Sequence, residues 1–139
     1  MNNGIKVEIH HTDRRGNFAT TLFPQKFKFR GHVFVIPRGF DFDGASIPRT
    51  FRSSVASPLD PETARAGLAH DYIYRTQPEG WTRAEADLMF LCFLLEDGLP
   101  VNRALKAYLA VRLFGDIAWK GNHMRLETEA DALWRGCGK

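Results

Sequence analysis

The hydrophobic periodicity of this chain changes once, near residue 59, and this change constrains the fold more than any other feature of the sequence. Before it, apolar residues occupy alternate positions, as in residues 5–9, which is typical of a strand with one buried face. After it, apolar residues recur three and four positions apart, which is typical of a helix with one buried face. The sequence therefore predicts an α+β fold.

The N-terminal part predicts a small antiparallel sheet of three or four strands. Residues 27–29 alternate apolar and polar side chains, and an apolar run follows at residues 33–36 after a short turn. This arrangement is typical of a hairpin. Residues 5–9 and 20–23 supply the further strands.

The C-terminal part predicts a bundle of three main helices and a short C-terminal helix, because it contains recurring start and stop signals. A cap followed by proline starts the first helix, and a capping box starts the second. The first helix should run from Asp60 until the Pro-Glu-Gly sequence at 78–80, and the second should cover 84–96, after the capping box at 82–85. The third should run from Asn102 to Gly115, and the short fourth helix should cover about 127–134.

Length and composition fit a single domain covering residues 1–139. Hydrophobic residues make up 44% and charged residues 25%, which excludes collagen-like and wholly disordered chains. We expect a β-rich part at residues 1–59, which includes the loop Asp-Gly-Ala-Ser-Ile-Pro, and a helical part at residues 60–139.

The sequence predicts no transmembrane segment, since no run of about 18 apolar residues occurs. The N-terminus also lacks the apolar stretch of a secretion signal. The two cysteines, Cys92 and Cys137, are too few for a disulfide framework. These features favour a cytoplasmic location.

The net charge of +3 hides an asymmetry between the two parts. Residues 1–59 hold nine Lys or Arg and four Asp or Glu, whereas residues 60–139 hold ten and twelve. The basic part could face phosphate or anionic lipid headgroups. Its charges are dispersed among apolar residues, however, so a solvated sheet face is the favoured explanation.

Four polar residues of the first two predicted helices form a candidate site. His70 and Tyr74 are four positions apart on one helix, and Asp71 is three positions from Tyr74. A short connection makes the next helix an antiparallel neighbour, so Asp87 near its start should approach them. A carboxylate that holds an imidazole orients it as a general base, which predicts catalytic roles for His70 and Asp87. The other carboxylate is then available to a hard cation such as calcium.

The loop at residues 40–49 contains a second group of polar residues. Asp41 and Asp43 lie two positions apart before Gly44, so they can supply oxygen ligands to a metal. The same residues are also typical of an Asx turn without any ligand. The twelve-position calcium loop is absent, because no acidic residue lies between Asp43 and Asp60.

Several segments resemble Domain of Unknown Function family 1353, a small family found in bacteriophages and prophages. The resemblance covers roughly residues 26–119 and implies a phage protein in the host bacterial cytoplasm or the virion, with other phage proteins as possible partners and no established activity. Because the family pattern pairs Asp43–Ser46 with the His70 helix, we expect this loop, including Ser46, to pack over the site. The matching segments are 35–40, 43–48, 69–74, 86–90 and 108–115.

The His-Asp-x-x-Tyr spacing on one helix, followed by an aspartate on the next, also resembles the helix pair of phospholipase A2 enzymes. This resemblance implies that His70 takes a proton from water and that Asp87 orients it. It further implies that Asp71 ligates calcium and that Tyr74 supports the Asp87 carboxylate. The Tyr-x-Gly-x-Gly calcium loop of those enzymes is missing, so Asp41, Asp43 and the Gly44 backbone would replace it.

Three classes of function remain open from the sequence, and whether the protein is an enzyme is among the open questions. The first is a metal-assisted hydrolase of ester or phosphoester bonds that uses His70 and Asp87. The second is a non-catalytic phage protein of the virion, of assembly or of host takeover, in which the same residues are a structural network. The third, less favoured, is a nucleic-acid binder that uses the basic part. The position of His70 relative to solvent should discriminate between the first two.

Overall fold

The computed structural model describes residues 5–12, 16–42 and 62–137. Within these residues five strands precede three helices, which confirms the α+β class. The strands are β1 (Val7–Thr12), β2 (Gly16–Thr21), β3 (Gln25–Phe29), β4 (His32–Ile36) and β5 (Asp41–Phe42). The helices are α1 (Ala64–Thr76), α2 (Arg83–Glu96) and α3 (Val101–Cys137).

The described strands form two antiparallel sheets. One sheet has the strand order β1-β2-β5, and the other is the hairpin β3-β4. The very short β5 lies in a segment that we interpreted as a loop, and it pairs Phe42 with Ala19 of β2. Both of these residues are fully buried, so β5 joins the sheet through its apolar side chain.

The predicted hairpin is confirmed, and its turn explains its formation. Arg30 and Gly31 connect β3 to β4 with φ angles of 46° and 82°. Two successive positive φ angles match the right-handed twist of the flanking strands. The alternation then buries Phe27 and Phe34, which lie opposite each other, and their rings stack at 5.4 Å.

The second helix follows its predicted limits, whereas the first begins later than predicted. Asp60 and Pro61, the predicted cap and first residue, lie outside the described residues. α1 begins at Ala64, directly after Thr63, and ends before Gln77, whose φ is 42°. Thr82 caps α2, since its hydroxyl accepts a hydrogen bond from the Glu85 amide at 3.2 Å. The capping interaction predicted from the sequence is therefore present.

The third helix differs from the prediction. α3 is one continuous helix of 37 residues, so the stop at Gly115 and the separate short helix at 127–134 were wrong. A glycine inside a helix costs only about 1 kcal/mol, and no proline follows to end it. Gly115 is buried, and its lack of a side chain makes room for Tyr74.

Both parts of the chain contribute to one hydrophobic cluster. Rings of the hairpin contact rings of the helices, with Phe34 stacked on Tyr72 at 5.8 Å and Phe27 on Phe93 at 6.2 Å. This packing places α1 and α2 side by side beneath the hairpin. Among the described residues, no helix is both long and apolar enough to span a membrane.

Candidate functional site

The site begins with two rings on the buried face of α1. His70 and Tyr74 are one turn apart, and their ring centroids lie 4.1 Å from each other. Phe90 of α2 contacts the same imidazole with a centroid distance of 4.8 Å. Small residues beside His70, among them Gly67 and Ala69, let α2 pack closely against α1. The imidazole is thereby held between two aromatic rings.

Asp87 of α2 joins these rings in one hydrogen-bond network. One carboxylate oxygen, Oδ1, lies 2.7 Å from His70 Nε2 and accepts a hydrogen bond from the Tyr74 hydroxyl at 2.6 Å. The exposed fractions are 2% for His70, 1% for Tyr74 and 0% for Asp87. The antiparallel helix pair therefore brings together three of the four residues expected to converge.

Two arginines that sequence reasoning missed bind the other carboxylate oxygen. Asp87 Oδ2 lies 2.8 Å from Arg112 Nη1 and 3.3 Å from Arg83 Nη1. Arg83 also donates to the main-chain carbonyl of Val111 at 3.1 Å. Its position four residues before Asp87 was a usable signal. Arg112 gave no such signal, because only the packing of α3 brings it to the carboxylate.

These partners keep the Asp87 carboxylate ionised. Burial opposes ionisation, but hydrogen bonds from His70, Tyr74 and Arg112 outweigh it and lower the pKa of Asp87 below its ordinary value. Burial and the neighbouring Asp87 charge raise the pKa of Tyr74, so its hydroxyl stays protonated and donates. Hydrogen bonding to Asp87 raises the pKa of Arg112.

The ionised carboxylate fixes the tautomer of neutral His70. A carboxylate only accepts hydrogen bonds, so Nε2 must carry the proton and Nδ1 must carry the lone pair. Among the described residues no hydrogen-bond partner lies at Nδ1. His70 as a whole is 2% exposed. In this tautomer Nδ1 is the basic nitrogen of the ring.

Asp71 and Asp41, two of the predicted metal ligands, both contact Arg75. The guanidinium of Arg75 lies 3.9 Å from Asp71 Oδ2 and donates to the main-chain carbonyl of Asp41. The Asp41 side chain accepts a hydrogen bond from the Thr20 hydroxyl at 2.6 Å.

The other predicted loop residues, Asp43 and Ser46, lie outside the described residues. Within the described part of the chain, no group of three His, Cys, Asp or Glu side chains is arranged to hold a metal ion. The described residues therefore do not fit a calcium site by themselves.

A comparison with models of known protein families identifies the family of this chain. A family model described as "Protein of unknown function (DUF1353)" matches residues 21–111. The chain belongs to this family. The part of the DUF1353 chain that matches includes His70, Tyr74, Arg83 and Asp87, whereas Arg112 lies directly after it.

One relative of this DUF1353 chain is the uncharacterized protein y4jT of Sinorhizobium fredii (strain NBRC 101917 / NGR234). The two are 32% identical over 85 residues, which is 61% of this chain and 25% of the relative. The chain thus spans about a quarter of the relative's length. No solved structure matches the DUF1353 chain.

Proposed function

We propose that His70 is the general base of a site that hydrolyses ester or phosphoester bonds. The observation that supports this most directly is that only one of its two ring nitrogens has a hydrogen-bond partner among the described residues. Nε2 is held by Asp87 at 2.7 Å, while Nδ1 has no hydrogen-bond partner among the described residues. A base oriented in this way by a carboxylate is the usual arrangement for activating a water molecule.

The proposed reaction moves one proton through Nδ1. Water gives its proton to Nδ1 while its oxygen attacks the carbonyl carbon or the phosphorus. The bond to the leaving oxygen then breaks, and that oxygen takes the proton from the imidazolium. Asp87 stabilises the transient positive charge at 2.7 Å, and the Tyr74 hydroxyl holds the carboxylate in place.

The proposed steps are carried by His70, Asp87 and Tyr74. Asp71 is the residue nearest to His70 in sequence that could bind a cation, and Arg75 faces it at 3.9 Å. Calcium therefore enters the proposal as one arm of the experiment and not as a participant in the reaction.

The second candidate is a structural network in a non-catalytic phage protein of the virion, of assembly or of host takeover. The burial of His70, Tyr74 and Asp87 favours it, since each is at most 2% exposed. A fully bonded buried network also specifies how two helices pack. The phage setting is itself a proposal, and the neighbouring genes are the observation that would test it.

Replacing His70 with glutamine separates the two candidates. The His70→Gln side chain keeps an N–H that can bond to Asp87 but removes the base. Under the hydrolase proposal, turnover of p-nitrophenyl esters and bis-p-nitrophenyl phosphate falls by about 10²–10⁴-fold, while the folded structure is retained. His123, an exposed histidine of α3, provides the matched control His123→Gln, which keeps full activity.

Calorimetry of the wild type, His70→Gln and His70→Ala, each with and without calcium, completes the test. Wild-type protein that turns over no substrate in either condition would contradict the hydrolase proposal, as would full activity in folded His70→Gln. A fall in melting temperature of roughly 3–12 °C for His70→Ala, without activity in the wild type, would favour the structural network.

A further inference from the structure

The longest one-sided charge distribution in the sequence lies in the strand region, away from His70. Between Asp13 and Asp41 the chain contains six Lys or Arg residues and no Asp or Glu. The hairpin β3-β4 lies within this interval and is itself free of acidic residues. Positive charge is therefore not balanced along this stretch of the chain.

The structure gathers two of these charges with two apolar side chains on one face of the hairpin. Lys26 pairs across the strands with Val35, and Lys28 pairs with Val33. All four residues are exposed, and Val33 and Val35 are 56% and 50% accessible. We call these four residues the hairpin face. It has valines on one strand and lysines on the other.

Two further basic groups lie near the hairpin face. Arg30 in the turn is exposed, but its guanidinium lies 5.8 Å from the ring centroid of Phe29, which pairs with His32 and so belongs to the opposite face. Before β3, Phe23 is 53% exposed and lies 5.3 Å from the Lys6 ammonium. The acidic residue that binds the hairpin, Glu85, contacts His32 at 2.8 Å. His32 alternates with Val33 along β4, so this contact is on the opposite face.

We propose that the hairpin face docks onto an anionic lipid surface. Lysines are attracted to acidic headgroups, and the transfer of exposed valines out of water at the headgroup boundary is favourable. A nucleic acid fits the same face less well, because bases stack on exposed aromatic rings. Here the hairpin rings of Phe27 and Phe34 are buried against the helices, and Phe23, the exposed ring named beside the face, lies against the Lys6 ammonium.

Vesicle co-sedimentation tests the proposal. Wild-type protein should bind vesicles of phosphatidylcholine with phosphatidylglycerol and should not bind vesicles of phosphatidylcholine alone. Lys26→Glu/Lys28→Glu should weaken binding by at least about tenfold. Val33→Ser/Val35→Ser should weaken it by roughly three- to tenfold without changing the charge. Circular dichroism verifies that these exposed substitutions leave the fold intact.

A charge reversal of equal size on α3 provides the control. Lys106 and Lys120 are both exposed there, and Lys106→Glu/Lys120→Glu should retain binding within about twofold, since the lysines lie outside the hairpin face. Equal losses in the two double reversals would overturn the proposal, because they would show an effect of net charge alone. Lack of binding to the anionic vesicles would also overturn it. The proposal would likewise be overturned if the protein bound an oligonucleotide more tightly than the anionic vesicles and if the valine substitutions did not change that binding.

Discussion

Gly115 occupies a buried position of α3 where a side chain would collide with the site. A Cβ atom built there meets the Tyr74 hydroxyl, and it lies 3.2 Å from Tyr74 Cζ and 3.3 Å from Arg83 Nη1. The absence of a Cβ at this position lets α3 approach α1 closely enough for Arg112 to reach Asp87. The glycine thus determines the spacing of helices around the network.

Gly115→Ala should destabilise the protein by about 1–3 kcal/mol, because the added methyl group overpacks the contact with Tyr74. Gly121 of the same helix has no atom within 4 Å of its ideal Cβ position. Gly121→Ala should therefore raise stability by about 0.5–1 kcal/mol through helix propensity alone. Urea denaturation should show that the free energy of unfolding falls in Gly115→Ala and rises in Gly121→Ala.

The origin of the penalty can be checked by removing the Tyr74 hydroxyl. In a Tyr74→Phe background the closest atom to the new Cβ is gone, so Gly115→Ala should cost less than it does in the wild type. An unchanged cost would show that the contact with Tyr74 is not its cause.

The residues of the network differ in how far the sequence could predict them. His70, Tyr74 and Asp87 were found because helical spacing and a short connection are local properties. Arg112 and Gly115 act through α3, whose packing against Asp87 depends on contacts 25 or more residues apart. No local pattern encodes such a contact, so neither role could be predicted from the sequence.

At the level of elements, the start of α2 depends on one hydroxyl. Thr82 has extended backbone angles and accepts the Glu85 amide hydrogen at 3.2 Å. Its replacement leaves an N–H of the first turn without this partner. Because Arg83 and Asp87 both lie in the first two turns of α2, the cap also supports the site.

Thr82→Ala should destabilise the protein by about 1 kcal/mol. Thr128→Ala is the matched control, since that exposed hydroxyl only donates to the Met124 carbonyl within α3. We expect the control to change stability by less than about 0.5 kcal/mol in urea denaturation. Equal effects of the two substitutions would show that the cap does not stabilise α2.

The elements that the sequence predicted well are those set by local signals. The hairpin was predicted because its turn and its alternation are contiguous, and α2 because its cap and its stop are explicit. β5 was missed because two residues carry no periodicity. The extent of α3 was misjudged because Gly115 is a packing requirement and not a helix stop.

At the scale of the whole molecule, Asp87 connects the three described helices. It contacts His70 and Tyr74 of α1, Arg83 of its own helix and Arg112 of α3. This buried carboxylate therefore links the three described helices by hydrogen bonds and ion pairs, in addition to the hydrophobic cluster that they share. Protonation of this group should loosen all of these contacts at once.

Asp87→Asn should lower stability by about 3 kcal/mol or more near neutral pH, since it leaves buried donors around an uncharged group. The pKa of Asp87 is lower in the folded protein than its ordinary value of 3.8. The ionised group therefore stabilises the fold fully above about pH 4–5, and this contribution is lost as pH falls through the folded-state pKa. Denaturation curves should show that the difference in free energy of unfolding between wild type and variant becomes smaller below about pH 4. A difference that grows on acidification would contradict this assignment.

The length of α3 has a mechanical consequence. Arg112 ties this helix to Asp87, and Arg125 ties it to the end of α1, since it donates to the Arg75 carbonyl at 2.7 Å. The 12 residues from Arg125 to Cys137 extend about 18 Å further. Residues 127–137 are exposed throughout. A tilt of about 5° at the Arg125 contact would displace the exposed thiol of Cys137 by about 2 Å. The end of the helix thus magnifies small rearrangements at the end of α1 into displacements that a thiol-reactive probe on Cys137 can read.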